Sequence, residues 1–218
     1  MKHPSKEALR RVGMGLADVT EALIIEAHLH FCSQCREVVR AACDEIANPD
    51  PVARVAELPG DDDILAAINA SIDKDSSVVK APPSTEQTGF LPGNILQEIG
   101  SPDAWKWQSF WPSKGRVALI ASDAGSPYEL YLGCIAPGAS MPGHAHTHLE
   151  QTLILKGSYI TAGGEKLVPG GWDEMTPGDI HHPTAGAEEE CYCLIRSYKK
   201  GYRFVNGARW RNSLLWMV

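Results

Sequence analysis

The chain has 218 residues, 44% hydrophobic and 22% charged, enough for one large or two modest folded units without covalent staples. Its net charge of −7 argues against a large phosphate-binding surface, so direct nucleic-acid binding is not expected. The basic start never becomes an apolar run, and no stretch approaches the roughly 18 residues of a membrane span. No signal peptide is therefore expected, and cytoplasm is the default compartment, where the 6 cysteines are metal ligands or free thiols.

Residues 1–75 read as a small helical domain. Ser5 can cap a first helix, KEALRRVGMG, which ends near Gly13 and Gly15. Thr20 can cap a second, EALIIEAHLHFC, whose Leu23, Ile24, Leu29 and Phe31 are apolar around much of the circumference. A third, REVVRAACDEIA, stops before Pro49. A fourth, ILAAINASI, follows Asp61, Asp62 and Asp63, whose charge suits a helix N-terminus better than a metal site. Residues 76–94 are rich in Ser, Pro and Gly and read as a linker. From 95 to 218 the pattern is one of short strands: GRVALIAS, YELYLGCI, LEQTLILK, a hairpin turning at Gly163 and Gly164, then GWDEMT, DIHHP, EECYCLIRSY and YRFV. Tryptophans concentrate here and read as core and barrel-mouth packing. The fold class is multi-domain α + β, a helical bundle followed by a β jelly-roll barrel.

In the helical part, His28, Cys32 and Cys35 form H-x3-C-x2-C. On one continuous helix they would share a face and aim three ligands at one point. Tetrahedral zinc needs a fourth ligand. His3, on a short N-terminal arm, is the candidate, and His30, on another side of the helix, is the competitor. Buried free thiols beside an unrelated histidine are the plain alternative. A redox C-x2-C is weaker, because no βαβ pattern surrounds it. A helix this apolar in so small a unit would also leave an exposed apolar patch, which marks a partner site.

In the β part, Gly138 to Gly157 reads G-x5-H-x-H-x3-E-x6-G, with His144, His146 and Glu150 in the fixed positions. Imidazole nitrogens and a carboxylate suit zinc, iron, manganese or nickel. The spacing is similar to the first motif of cupins, whose second motif adds a histidine after a Gly–Pro pattern. Gly171 and Pro177 fit that start, and the count then selects His181 from the glycine or His182 from the proline. The usual closing asparagine is absent; Ala185 stands there. His148 would share the face of His144 and His146 in an unbroken strand, but would flank the site if a turn intervenes. Cys191 and Cys193 point the same way along a strand, either as small core residues or as a redox-sensitive pair. Cys43 and Cys134 read as surface or core thiols.

Taken together, the arm with His3, HLHFCSQC, the linker and the cupin motif resemble the ChrR family of zinc-dependent anti-sigma factors. The resemblance favours His181, through His181-x-Pro183 followed by Cys191-x-Cys193. It implies zinc held by His3, His28, Cys32 and Cys35, and a second metal held by His144, His146, Glu150 and His181. It also implies a helical domain that binds an extracytoplasmic-function sigma factor one-to-one and blocks its access to RNA polymerase. The cupin would sense an oxidative signal, singlet oxygen or an organic hydroperoxide. A dioxygenase-like cupin enzyme with an accessory helical domain is the competing expectation, and a storage or scaffold module the third.

Overall fold

The computed structural model describes residues 2–47, 91, 93, 95–96, 105–110 and 114–205. The fourth expected helix and most of the expected linker lie outside these residues.

Helix α1 spans Lys6–Gly13, and the Ser5 side chain accepts the Ala8 N–H at 3.1 Å, as the sequence leads one to expect. Helix α2 spans Val19–Phe31. Its cap is Asp18, not Thr20: the Asp18 carboxylate accepts the Glu21 N–H at 2.9 Å and the Thr20 hydroxyl at 2.6 Å. A full negative charge meets the helix N-terminus better than a neutral hydroxyl, so Thr20 is drawn into the first turn. Helix α3 spans Ser33–Ala47. Between α2 and α3, Cys32 is extended at φ −126° and ψ 107°. The H-x3-C-x2-C motif therefore does not ride on one continuous helix; it straddles a tight break, with His28 on α2, Cys32 at the break and Cys35 in the first turn of α3.

Twelve strands follow among the described residues: β1 Trp107–Phe110, β2 Gly115–Ser122, β3 Tyr128–Ile135, β4 His144–His146, β5 Glu150–Lys156, β6 Tyr159–Ile160, β7 Lys166–Leu167, β8 Trp172–Met175, β9 Ile180–His181, β10 Thr184–Ala185, β11 Cys191–Tyr198 and β12 Tyr202–Phe204. They form one six-stranded antiparallel sheet, β1-β2-β3-β11-β5-β8, and two three-stranded ones, β10-β6-β7 and β12-β4-β9. Gly157 turns the chain between β5 and β6 at φ +71°, and a Cβ there would lie 2.4 Å from the Glu190 carbonyl oxygen, so only glycine fits. A cavity of about 90 Å³ separates the sheets, reached by side chains of β2, β3, β5 and β11 on one side and of β4, β9 and β12 on the other.

The two halves share one core. Ile24, Ile25 and Ala27 of α2 are fully buried in the same cluster as Leu130, Leu132, Leu153, Leu194 and Trp172 of the large sheet, with Ala8 and Leu9 of α1 on the far side. The apolar circumference of α2 is thus consumed by α1 and α3 on one side and by the outer face of the sheet on the other. Val19, Glu26 and His30, all exposed, line the outward stripe. This corrects the expectation that the apolar surface of α2 would be left as an open partner patch.

One polar cluster closes the seam. The Arg196 guanidinium of β11 donates to Asp18 at 2.7 Å, to the Thr20 hydroxyl at 2.9 Å and to Gln151 at 3.1 Å, and stacks over Tyr128. Ser126 adds a hydrogen bond to Asp18 at 3.0 Å. Burial alone would raise the Asp18 pKa, but the Thr20 hydroxyl, the Glu21 amide and Arg196 outweigh it and hold it at about 2. Arg196→Met keeps the stem over Tyr128 but strands Asp18 in the seam. We expect a loss of roughly 2–4 kcal/mol, read as a lower urea midpoint, because removing one partner leaves the other charge uncompensated. An unchanged midpoint would show that the apolar core alone holds the halves together.

Candidate metal centres

The first cluster is assembled by the α2–α3 break and the N-terminal arm. The break turns Cys32 and Cys35 toward the arm, and His3 places its Nδ1 3.4 Å from each sulfur. The His28 ring meets His3 edge-on at 5.7 Å. One ligand atom from each of the four side chains lies within 4.8 Å of the others, with His3 exposed and the remaining three buried. His30 is exposed and turned onto Phe31, outside the cluster. Both ring nitrogens of His28 are buried without a hydrogen-bond partner. Burial and the neighbouring His3 push its pKa down to about 4, so it is a neutral imidazole. Burial and Cys32 push the Cys35 thiol up to about 12. The lone pair of a neutral His28 and two thiols held close together could take up a cation, which would satisfy that lone pair and offset the cost of ionising the sulfurs.

The second cluster lies between the sheets. His144 and His181 are directly opposite one another in the β4–β9 pairing, so their side chains share the inner face. His146, two residues on, follows on that face. The chain then bends at Thr147 and His148, and Glu150 opens β5 in the large sheet. One ligand atom from each of these four side chains lies within 4.8 Å of the rest, all four buried. His144 donates its Nδ1–H to the Pro142 carbonyl at 2.8 Å, which leaves Nε2 as a bare acceptor. That Nε2 faces the Nε2 of His181 at 2.9 Å. His146 is buried with both nitrogens unpartnered. Glu150 sits 3.9 Å from His146 and 3.8 Å from His181, and burial raises its pKa to about 8. Burial and the neighbouring imidazoles lower His146 to about 4 and His181 to about 3. Three neutral imidazoles gathered around a buried carboxyl group fit a divalent cation.

Of the open sequence alternatives, His181 joins the cluster while His182 is exposed. His148 is exposed and stacks on Tyr198 at 3.6 Å, so the bend before β5 removes it from the site. Cys191 and Cys193 are buried free thiols on the inner face of β11, and burial pushes Cys191 up to about 12. Cys43 is exposed and Cys134 buried. The sequence reading missed Tyr159, which approaches His181, and Asp173, an inward carboxylate on β8; a charged residue at a buried strand position was the available signal.

The fold and the two clusters define a class: a cupin barrel with a helical domain packed on its outer face, each half with a His-containing cluster able to hold a metal. Residues 97–200 match the family model described as the ChrR cupin-like domain. The chain is 23% identical over 201 residues to the anti-sigma-E factor ChrR of Cereibacter sphaeroides, a match spanning 88% of this chain and 87% of the relative. The crystal structure of Rhodobacter sphaeroides SigE in complex with the anti-sigma ChrR matches with a TM-score of 0.70 at 22% identity, covering 90% of this chain and 98% of that one.

The second cluster predicts a two-sided pH profile for chelator-stripped protein. His146 and His181 titrate well below their ordinary 6.5, so acid protonates the unfolded chain first and stability falls as pH drops from about 6.5 toward 4. Glu150, raised from 4.5 to about 8, acts in the opposite sense: the unfolded chain ionises first, and stability falls as pH climbs through that window. Two histidines outweigh one carboxyl below pH 6.5, so thermal midpoints should peak near about pH 6.5, and Glu150→Gln should flatten the alkaline limb. A monotonic profile in the stripped protein would contradict the burial of these charges.

Proposed function

We propose that this chain is a cytoplasmic, zinc-dependent anti-sigma factor that binds one sigma factor through its helical half and carries a metal-loaded cupin as its sensing half. The observation that carries the reading is that likeness to a protein named anti-sigma-E factor runs through both halves, not through the cupin alone. The His/Cys cluster supports it as well, since a catalytic cupin has no use for a second metal centre at the seam of three helices. His3, His28, Cys32 and Cys35 would hold zinc, which there cross-links the arm, the end of α2 and the start of α3. His144, His146, Glu150 and His181 would hold zinc, iron, manganese or nickel. The cavity beside them, walled by Ile135, Ile195 and Phe204, is small and apolar, which suits singlet oxygen or an organic hydroperoxide as the signal. The same cavity is the observation that favours the second reading, a dioxygenase-like enzyme.

Co-expression with a sigma factor separates these readings. Cys35→Ser should lose one equivalent of zinc by elemental analysis and the one-to-one complex with it. His146→Ala should lose the cupin metal and the response to oxidant, while the complex survives. Loss of the complex in both variants would mean that the cupin metal supports folding and not sensing. A chain that holds no sigma factor but consumes O₂ with a small acid or dione when iron-loaded would establish the enzyme.

A further inference from the structure

Strand β8 is the place where the two clusters come closest to sharing a structural element. Its outer side faces the first cluster: the Trp172 ring meets the His28 ring edge-on at 5.6 Å. The turn leading into it presses on the α2–α3 break. Gly170 sits at φ +86°, and a Cβ there would lie 2.7 Å from the Cβ of Phe31, the residue before Cys32. Its inner side faces the second cluster through Asp173, which is 2% exposed. The Tyr159 hydroxyl donates to Asp173 Oδ2 at 3.3 Å, and the same hydroxyl lies 3.1 Å from His181 Nδ1. Burial and the Asp173 carboxylate raise the pKa of the Tyr159 phenol, so it stays a neutral donor.

Because β8 is the edge of the six-stranded sheet, the other oxygen of Asp173 is reachable from the helical side. Lys2 reaches it at 3.2 Å, and the next residue along the arm is His3. The donor order follows from the chemistry. With its proton on Asp173, the Tyr159 oxygen accepts from His181 Nδ1–H. That fixes the His181 tautomer and turns the bare Nε2 toward His144, His146 and Glu150.

We propose that Tyr159 and Asp173 are the positioning residues for His181, and that Lys2 ties them to the arm carrying His3, so that the two clusters are joined through β8. The proposal rests on the metal-centre reading above and deepens it: it names the contacts by which filling one site alters the hold on the other. A partner that orients a metal-bound imidazole is worth about 10–100-fold in metal affinity when removed.

The test uses the full-length chain and a chromophoric chelator as competitor. Tyr159→Phe should weaken cupin-metal affinity by about 10–100-fold, while Lys2→Met, at an exposed side chain away from His181, should change it only by the several-fold coupling between the sites. The rate at which the first cluster gives up its zinc should differ several-fold between the parent and His146→Ala. Adding Lys2→Met, or Asp173→Asn, should abolish that difference. Asp173→Asn keeps an oxygen for the Tyr159 hydrogen bond, so the barrel retains its packing. Tyr159→Phe holding its cupin metal within about twofold of the parent, or Lys2→Met preserving the parent difference, overturns the proposal. A parent chain holding a single equivalent of metal would instead sink the metal-centre reading on which it stands.

Discussion

The burial of α2 between its companion helices and the sheet is the constraint on which the rest depends. Ile24 and Ile25 are consecutive, roughly 100° apart on the helix, and both fully buried. No single flat surface can bury two such neighbours, so the helix has to be gripped from two directions. The sheet supplies the second grip, and Arg196 sets where it closes, because the guanidinium needs the Asp18 cap and Thr20 to offset its own burial. Docking α2 in this way fixes its C-terminal end over Trp172, and with it the position of His28. The first cluster is thus built partly by the barrel.

Each cluster places polar atoms where folding alone would not leave them. His28 and His146 are the residues among those described whose buried side-chain nitrogens find no partner at all. Leaving such a donor or acceptor unsatisfied costs about 1–3 kcal/mol each. In the second cluster the cost is compounded by the burial of the Glu150 carboxyl group beside three imidazoles. A cation held between the four side chains of each cluster would lower these costs. Such a donor set suits several divalent ions, so shape alone would not choose among them.

Much of this was legible in the sequence because the signals are local. The period-two runs from Gly115 and Tyr128 are strands β2 and β3, and the Ser5 cap starts α1. The Gly138–Gly157 motif brings His144, His146 and Glu150 together because a turn separates the histidine pair from Glu150. The same turn carries His148 away, which no local pattern could decide. The α2–α3 break was not legible: HLHFCSQC is helix-compatible throughout, and Cys32 is pulled into an extended conformation by the convergence of His3 and Cys35, a tertiary effect. The fate of the α2 surface was hidden for a similar reason. Its hydrophobic count is correct, but the chain gives no local sign of whether the complementary surface belongs to another molecule or to its own later strands.

That last point bears on how a partner could be held. On the proposed reading, the partner meets the helical half while the sheet already occupies α2. Undocking the sheet would expose Ile24, Ile25, Leu130, Leu132 and Leu194 together and strand Arg196 without Asp18. At about 1.5–3 kcal/mol for each large apolar side chain, that cost approaches the whole stability of a domain. A partner therefore gains more by using what the docked form already shows, among it Leu16, Val19 and Ile46, each more than half exposed. A signal then has no need to separate the halves. It has only to shift α1 and α3 on a fixed α2, and the arm carrying His3, which packs against Cys32, Cys35 and His28, is the part placed to do so.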